Sequence, residues 1–281
     1  QNTTELMDNI KRCKELGSSL KYTCFSVVIN EITKRGDNET MLAMKTIRNL
    51  FSKTPEILEE CHFVNHEVGY SLAEKYGIKG KDKCLDEADD CALGCYHGIA
   101  EYLFFKNNGS LEKDVTLFLQ NENDSFNIFA MHHAIGHPIY RFANDIEKSK
   151  SDCDSIVKNN QKRASMCYSG IIHEFNLDSY FTNISFEEAA ENCNMFNYKK
   201  EDCYLSIGYI FSFSGINKIL EKCSSIGSYS CIEGIGAYID GLYSDNNLSR
   251  SFEVCEYIIQ DINLLNFCYK GTLITSLQYY N

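Results

Sequence analysis

The segment Cys95-Tyr-His-Gly-Ile-Ala-Glu101 contains the pattern that decides the fold, because near-copies of it recur along the chain. The shared seven-residue frame is a cysteine, an aromatic residue, a variable residue, a small residue, isoleucine and two variable residues. The copies begin at Cys24, near position 60, and at Cys95, Met131, Cys167, Cys203, Cys231 and Cys268. A unit of about 36 residues holds two helices and two turns. The sequence therefore predicts an all-α fold of about seven to eight αα-hairpin repeats, as a superhelix or a closed α/α toroid.

Local signals place helices inside two of these units. Residues 95–106 are predicted to form a helix that ends at Asn107-Asn108-Gly109, with Ser110 capping a second helix over 111–120. Ser185 and Glu188 form a capping box, which predicts a helix running to about Cys193. The small residue at the fourth position of the frame lets neighbouring helices approach closely. The residues at this position are Gly98, Ala134, Gly170, Ser206, Gly234 and Gly271.

The 14 cysteines form a second regular pattern. Most frame cysteines follow another cysteine by 8 to 14 residues, and the unit that starts at Met131 lacks both. This joint absence indicates that the two positions pair in disulfides, and no C-x-x-C spacing favours zinc thiolates instead. The predicted pairs are Cys13–Cys24, Cys84–Cys95, Cys153–Cys167, Cys193–Cys203, Cys223–Cys231 and Cys255–Cys268, with Cys61–Cys91 as a seventh.

Paired cysteines between successive αα-hairpins, followed by an aromatic and a small residue, resemble the disulfide-stapled Sel1-like repeats, which are related to the tetratricopeptide class. The resemblance covers nearly the whole chain, and the repeats predict a single αα-repeat domain over 1–281. A second likeness is to lanthionine-synthetase-like α/α toroids, which place glycine and histidine at inner helix starts around a metal. Their Cys-Cys-His zinc set is not matched here, and neither likeness implies particular site residues.

Composition narrows the classes of partner. Lys plus Arg is 27 against 39 Asp plus Glu, which gives a formal charge of −12. So acidic a chain has no electrostatic footprint for nucleic acid or anionic lipid, and no stretch has the roughly 18 apolar residues of a membrane span. Abundant cysteines together with six Asn-x-Ser/Thr sequons predict an exported, glycosylated protein. The sequons are at Asn2, Asn38, Asn108, Asn123, Asn183 and Asn247.

All seven histidines lie between positions 62 and 173, inside the repeat frames. Residues four apart on a helix share a face, so the frames predict a ladder of two rungs on four helices. The first rung is His62, His97 and His133. The second rung is His66, Glu101, His137 and His173. Three later frames carry other residues in these slots, so the frame itself does not require histidine.

The ladder predicts one or two metal ions. Imidazoles with one carboxylate suit zinc, copper or iron and disfavour calcium or magnesium. A flatter array would instead form separate two-ligand sites, and histidines that only pack together are the remaining alternative. His132, Glu67 and Glu174 flank the ladder and are expected to be outer partners, with Glu101, Glu67 and Glu174 the candidate proton acceptors.

The first functional expectation is a secreted metal-binding αα-repeat protein, including a metalloenzyme with a one- or two-metal centre. The metal-ladder repeats would cover about 55–190 and the histidine-free repeats about 191–281. One alternative is a glycosylated extracellular structural subunit that self-assembles into a surface layer, sheath or filament. Another is a repeat scaffold that binds a second extracellular protein.

Overall fold

The computed structural model describes residues 18–35, 58–84, 94–109, 113–119, 125–157, 160–243 and 248–280, with scattered positions between 5 and 16. The side chains of Cys61 and His62 lie outside this description. Within the described ranges, every regular element is an α-helix or a short 3-10 helix. The predicted all-α fold class is therefore confirmed.

The chain forms two compact units, residues 1–168 and 169–281. The expected single domain, with ladder repeats over about 55–190 and later repeats over about 191–281, stays a prediction. So does the choice between a superhelix and a closed toroid.

The long helices of the first unit pack in chain order. α1 packs against α2, α2 against α4, and α4 against α6, while α7 packs against α6. The helices are α1 (Ser18–Arg35), α2 (Leu58–Tyr76), α3 (Lys81–Cys84), α4 (Gly94–Lys106), α5 (Lys113–Phe118), α6 (Ser125–Ala143) and α7 (Ile146–Val157). A 3-10 helix, Gly77–Gly80, joins α2 to α3. This order places the histidine-bearing helices α2, α4 and α6 side by side.

The second unit follows the same packing order. α8 begins in the first unit and ends in the second, and α12 packs against both α10 and α14. The helices are α8 (Gln161–Phe181), α9 (Phe186–Asn192), α10 (Lys200–Phe211), α11 (Ile216–Ser225), α12 (Tyr229–Tyr243), α13 (Leu248–Ile258) and α14 (Ile262–Tyr280).

The helix boundaries follow the local signals. α4 ends where predicted, with Asn108 at φ 52° and Gly109 at φ 73° in the left-handed conformation that ends many helices. The Ser185 hydroxyl caps α9 by accepting a hydrogen bond from the Glu188 backbone N–H at 3.2 Å. α5 is described over Lys113–Phe118, inside the predicted 111–120, and its expected cap Ser110 lies outside the described residues.

Frame glycines bring neighbouring helices into backbone contact. A Cβ atom at Gly98, Gly234 or Gly271 would lie about 2 Å from a carbonyl oxygen of the preceding frame helix. These oxygens belong to His66, Leu205 and Glu233, at 1.8, 2.0 and 1.9 Å. Since real Cβ atoms keep beyond about 3 Å of such neighbours, only glycine fits without a shift. The predicted role of the small residue in close helix approach is confirmed at these three positions.

Among the described residues, six disulfides join the helices, and their pairing is as predicted. After the first pair, each joins the end of a shorter helix or turn to the first two turns of the long helix that follows. The bonds are Cys13–Cys24, Cys84–Cys95, Cys153–Cys167, Cys193–Cys203, Cys223–Cys231 and Cys255–Cys268. The Cys61–Cys91 prediction lies outside the described residues.

Two of the six sequon asparagines fall in the described part of the chain. Asn108 and Asn183 are exposed, and each has a positive φ just after a helix end. The other four, Asn2, Asn38, Asn123 and Asn247, lie outside the described residues. Glycan occupancy at all six stays a prediction.

Candidate metal centre

Three histidines from two packed helices converge on one point. His97 lies in the first turn of α4, and His133 and His137 lie on successive turns of α6. Each offers one ring nitrogen to a set of three that lie within 4.8 Å of one another. The ring centroid of His97 lies 5.3 Å from that of His133 and 4.2 Å from that of His137. The spacing of four residues on α6 supplies two of the imidazoles, and the close packing of α4 on α6 supplies the third.

The triad, defined as His97, His133 and His137, is buried. The three residues are 1%, 9% and 3% exposed. The Phe129 ring stacks on His133 at a centroid distance of 5.5 Å, one turn earlier on α6. Burying several polar rings together costs free energy unless they share hydrogen bonds or a ligand.

The His133 and His137 Nε2 atoms are 3.1 Å apart. Without a metal, one nitrogen must be protonated and donate to the other. Two ligand atoms on a tetrahedral ion, each about 2.0–2.1 Å from it, would be roughly 3.3 Å apart. The two nitrogens are therefore already at the separation that a shared zinc-like ion requires.

A charged pair adjoins the triad. The His66 Nδ1 lies 3.2 Å from Glu101 Oε2, and Arg141 donates to Glu101 Oε1 at 2.9 Å. The His66 ring is edge-on to the His97 ring, with a centroid distance of 6.0 Å. The three residues come from α2, α4 and α6, so this His66–Glu101–Arg141 cluster links all three helices beside the triad.

The register predicted for α2 is wrong by four residues. The carbonyl oxygen nearest the Gly98 Cβ position belongs to His66, and the Tyr70 nitrogen lies 2.6 Å from the same position. His66 therefore occupies the first-rung slot that was predicted for His62, and Tyr70 occupies the second-rung slot.

The second unit shows the same register independently. The atoms nearest the Gly234 Cβ position are the Leu205 oxygen and the Tyr209 nitrogen, at 2.0 and 2.8 Å. Leu205 and Tyr209 are the third and seventh residues of the frame that starts at Cys203. By this equivalence, the frame in α2 starts at Val64 and not near position 60.

Contacts also run diagonally between the predicted rungs. His97, in the first-rung slot of α4, contacts His137, in the second-rung slot of α6. In the same way His66, in the first-rung slot of α2, contacts Glu101, in the second-rung slot of α4. The grouping into two sites by rung is therefore corrected: the triad takes members of both rungs, and Glu101 pairs with Arg141 and His66.

The other residues predicted for the ladder and its surroundings are not part of the triad. The His62 side chain lies outside the described residues, and His173 and Glu174 belong to the second unit, where the His173 ring contacts Tyr209. His132 donates from Nδ1 to the Ile128 carbonyl at 2.6 Å and is not part of the triad. Burial lowers the pKa of His132, and that hydrogen bond opposes the effect.

Glu67, a candidate proton acceptor, follows His66 on α2. Burial raises the pKa of Glu67, while a hydrogen bond with Ser26 and the charge of Arg141 act in the opposite direction. The carboxyl is therefore easier to protonate than an exposed one.

Arg141 and Pro138 adjoin the site and were not predicted from the sequence. Arg141 lies four residues after His137 on α6, so helical spacing could have indicated it. Pro138 directly follows His137 inside α6 and lacks the N–H that would bond to the Ala134 carbonyl, a loss that usually destabilises a helix. One of only two prolines in the chain thus adjoins a triad member.

Comparisons with protein-family models, curated proteins and solved structures gave no match for this chain. Among the described helices, none combines the length and apolar character that crossing a bilayer would require. The six disulfides indicate folding in an oxidising environment. The fold and the site thus define a disulfide-bonded helical protein with a group of three histidines whose spacing suits a metal ion.

Proposed function

We propose that this protein is a secreted metal-binding protein and that the triad holds one transition-metal ion. The observation that carries the proposal is the convergence of three buried imidazoles from two packed helices. Three side-chain nitrogens that lie within 4.8 Å of one another would form most of the ligand set of a four-coordinate site.

The ligand chemistry selects the class of metal. Imidazole suits zinc, copper and iron, while calcium and magnesium prefer oxygen ligands. The described cysteines are held in disulfides and supply no thiolate. Zinc, copper and iron are therefore the candidates, and zinc is the simplest first test because it has no redox chemistry.

Packing alone is a poor explanation for the triad. In the second unit, the first-rung slots carry Leu205, Glu233 and Lys270, and the same close helix contacts form at Gly234 and Gly271. The fold therefore does not need histidine at these slots. Concentrating imidazoles in the first unit supports a ligand-binding role.

Secretion is part of the proposal and has its own support. Disulfides that pair successive helices are typical of exported proteins. Asn108 and Asn183 are exposed, as glycan acceptors must be.

The fourth coordination position decides what the bound ion can do. Catalytic zinc sites keep that position for water, whereas sites that hold the ion with four protein ligands are closed. A water ligand would favour hydrolytic chemistry, with Glu67 as a candidate proton acceptor. A fourth protein ligand would favour capture or storage of the ion.

Elemental analysis of the native protein, purified without chelator, tests the proposal. We expect about one transition-metal ion per chain, removed by dialysis against a strong chelator and restored by added Zn(II). Protein that contains no such metal and binds no added Zn(II), Cu(II) or Fe(II) would overturn the proposal.

A further inference from the structure

We infer that His66 is the fourth ligand of the metal at the triad, and that Glu101 and Arg141 hold its ring in the orientation that binding requires. The inference rests on the proposed function and specifies which residues complete its site. It assigns Glu101 an orienting role instead of the ligand role that the sequence predicted.

The hydrogen bond at His66 fixes which nitrogen can bind a metal. Because Nδ1 faces the Glu101 carboxylate at 3.2 Å, the neutral ring carries its proton on Nδ1 and its lone pair on Nε2. Histidines that bind metals usually donate their second ring nitrogen to a carboxylate or carbonyl in this way. His66 thus already has the partner of a metal-ligating histidine.

Glu101 is itself fixed on both sides. Its Oε2 faces His66 and its Oε1 accepts from Arg141 at 2.9 Å. With both oxygens engaged, this carboxylate is better suited to orient His66 than to bind the ion directly. Its negative charge also makes the His66 imidazole a stronger donor to a metal.

The ring spacing brings His66 within reach. Imidazoles that share a tetrahedral ion have centroids roughly 5 Å apart, given metal–nitrogen bonds of about 2.0–2.1 Å. The triad centroids are 4.2 to 5.3 Å apart, and His66 is 6.0 Å from His97. His66 is outside the set of residues whose ligand nitrogens lie within 4.8 Å of one another, so its ring must move toward the triad when the ion binds.

Four imidazoles would close the site to water. The burial of the triad is in keeping with a closed site, since a metal-bound water that reacts with substrate needs access. The inference therefore favours capture or storage of the ion over hydrolysis.

The test uses Co(II) as a spectroscopic substitute for zinc, with azide as a probe for an exchangeable ligand. It compares the full-length parent with His66→Ala, Glu101→Gln and Arg141→Met. The control is Glu74→Gln, which removes an exposed carboxylate from the same helix as His66. Circular dichroism confirms that each variant is folded.

We expect the visible spectrum of the Co(II) parent to be unchanged by azide, because no coordination position is open. His66→Ala should bind Co(II) at least 10-fold more weakly and should respond to azide. Glu101→Gln should weaken binding by about 10- to 100-fold, as loss of an outer partner does, and Arg141→Met should act in the same direction. Glu74→Gln should match the parent.

A parent that binds Co(II) tightly but responds to azide would overturn the inference and leave the proposed function intact, and so would a folded His66→Ala that binds Co(II) as tightly as the parent. The azide response of the parent needs no variant, so it can overturn the inference even where His66→Ala fails to fold. A parent that binds no Co(II) or Zn(II) would overturn the proposed function, and the inference with it.

Discussion

The Nε2 atoms of His133 and His137 lie 3.1 Å apart on successive turns of α6, and the His97 ring of α4 lies beside them. The helical repeat alone produces the first relationship, since residues four apart share a face. The second depends on how closely α4 approaches α6. The positions of the three candidate ligands therefore depend on the distance between α4 and α6 as well as on the helical repeat.

Removing one triad member should abolish tight metal binding. We expect His97→Ala and His137→Ala each to weaken Zn(II) binding by more than about 100-fold, beyond the effect of losing an outer partner. His132→Ala should leave affinity unchanged, because His132 bonds to the Ile128 carbonyl and not to the triad. Isothermal titration of the parent and the three variants with Zn(II) measures these affinities. Equal affinities in all four proteins would show that the triad is not the site.

Metal binding should weaken in acid. Each triad imidazole must be neutral to bind, and the usual histidine pKa is about 6.5. Well below that pH, three protons compete with one ion, so affinity should fall by up to about three decades per pH unit. Titrations between pH 5 and 8 check the slope. A pH-independent affinity would contradict imidazole ligation.

The stability of the metal-free protein should also depend on His132. Burial lowers its pKa in the folded protein, so the unfolded chain binds more protons as the pH falls through about 6.5. The contribution of neutral His132 to stability is therefore complete above that pH and is lost progressively in acid. His132→Asn, which keeps a donor near the Ile128 carbonyl, should have a shallower fall in unfolding free energy between pH 7.5 and 5.5. An unchanged slope would contradict the pKa shift.

Gly98 should not tolerate a side chain. Its Cβ would lie 1.8 Å from the His66 oxygen, so Gly98→Ala should force α2 and α4 apart and cost about 1–3 kcal/mol. Gly80→Ala is the milder comparison and should cost less, because a Cβ there would lie 3.1 Å from the Leu72 backbone, which need yield by only a few tenths of an ångström. Urea denaturation compares the two variants, and equal stabilities would show that the α2–α4 contact is looser than described.

The disulfides should maintain the fold without metal. Chelation should leave helicity unchanged, whereas replacing both Cys153 and Cys167 by serine should lower the unfolding free energy by about 3 kcal/mol, the chain-entropy value for a loop of this size. Circular dichroism and urea denaturation measure both effects. Loss of helicity on chelation would mean that the metal, and not the disulfides, organises the chain.

The sequence predicted the helical class and six disulfide pairs because both depend on spacing along the chain. Cysteines 8 to 14 residues apart at successive helix ends leave few alternative partners. The capping box at Ser185 and the glycine contacts at Gly98, Gly234 and Gly271 were also local or periodic features. These parts needed no knowledge of distances between helices.

The ladder was only partly predictable because metal sites depend on those distances. Spacing placed His97, His133 and His137 on helix faces that meet, but it could not show that contacts run diagonally between rungs. In α2, alignment from Cys61 gave the wrong register. The better signal was the match of Val68-Gly69-Tyr70 to Ile207-Gly208-Tyr209, because Gly69 and Gly208 make equivalent backbone contacts with Cys95 and Cys231.

The most direct test of the central claim is an anomalous diffraction map at the zinc absorption edge, from crystals of the full chain grown with one equivalent of Zn(II). We predict a single strong peak between the three triad rings, with zinc–nitrogen distances of about 2.0–2.1 Å. A triad with no peak, in crystals whose zinc lies at other residues, would contradict the account.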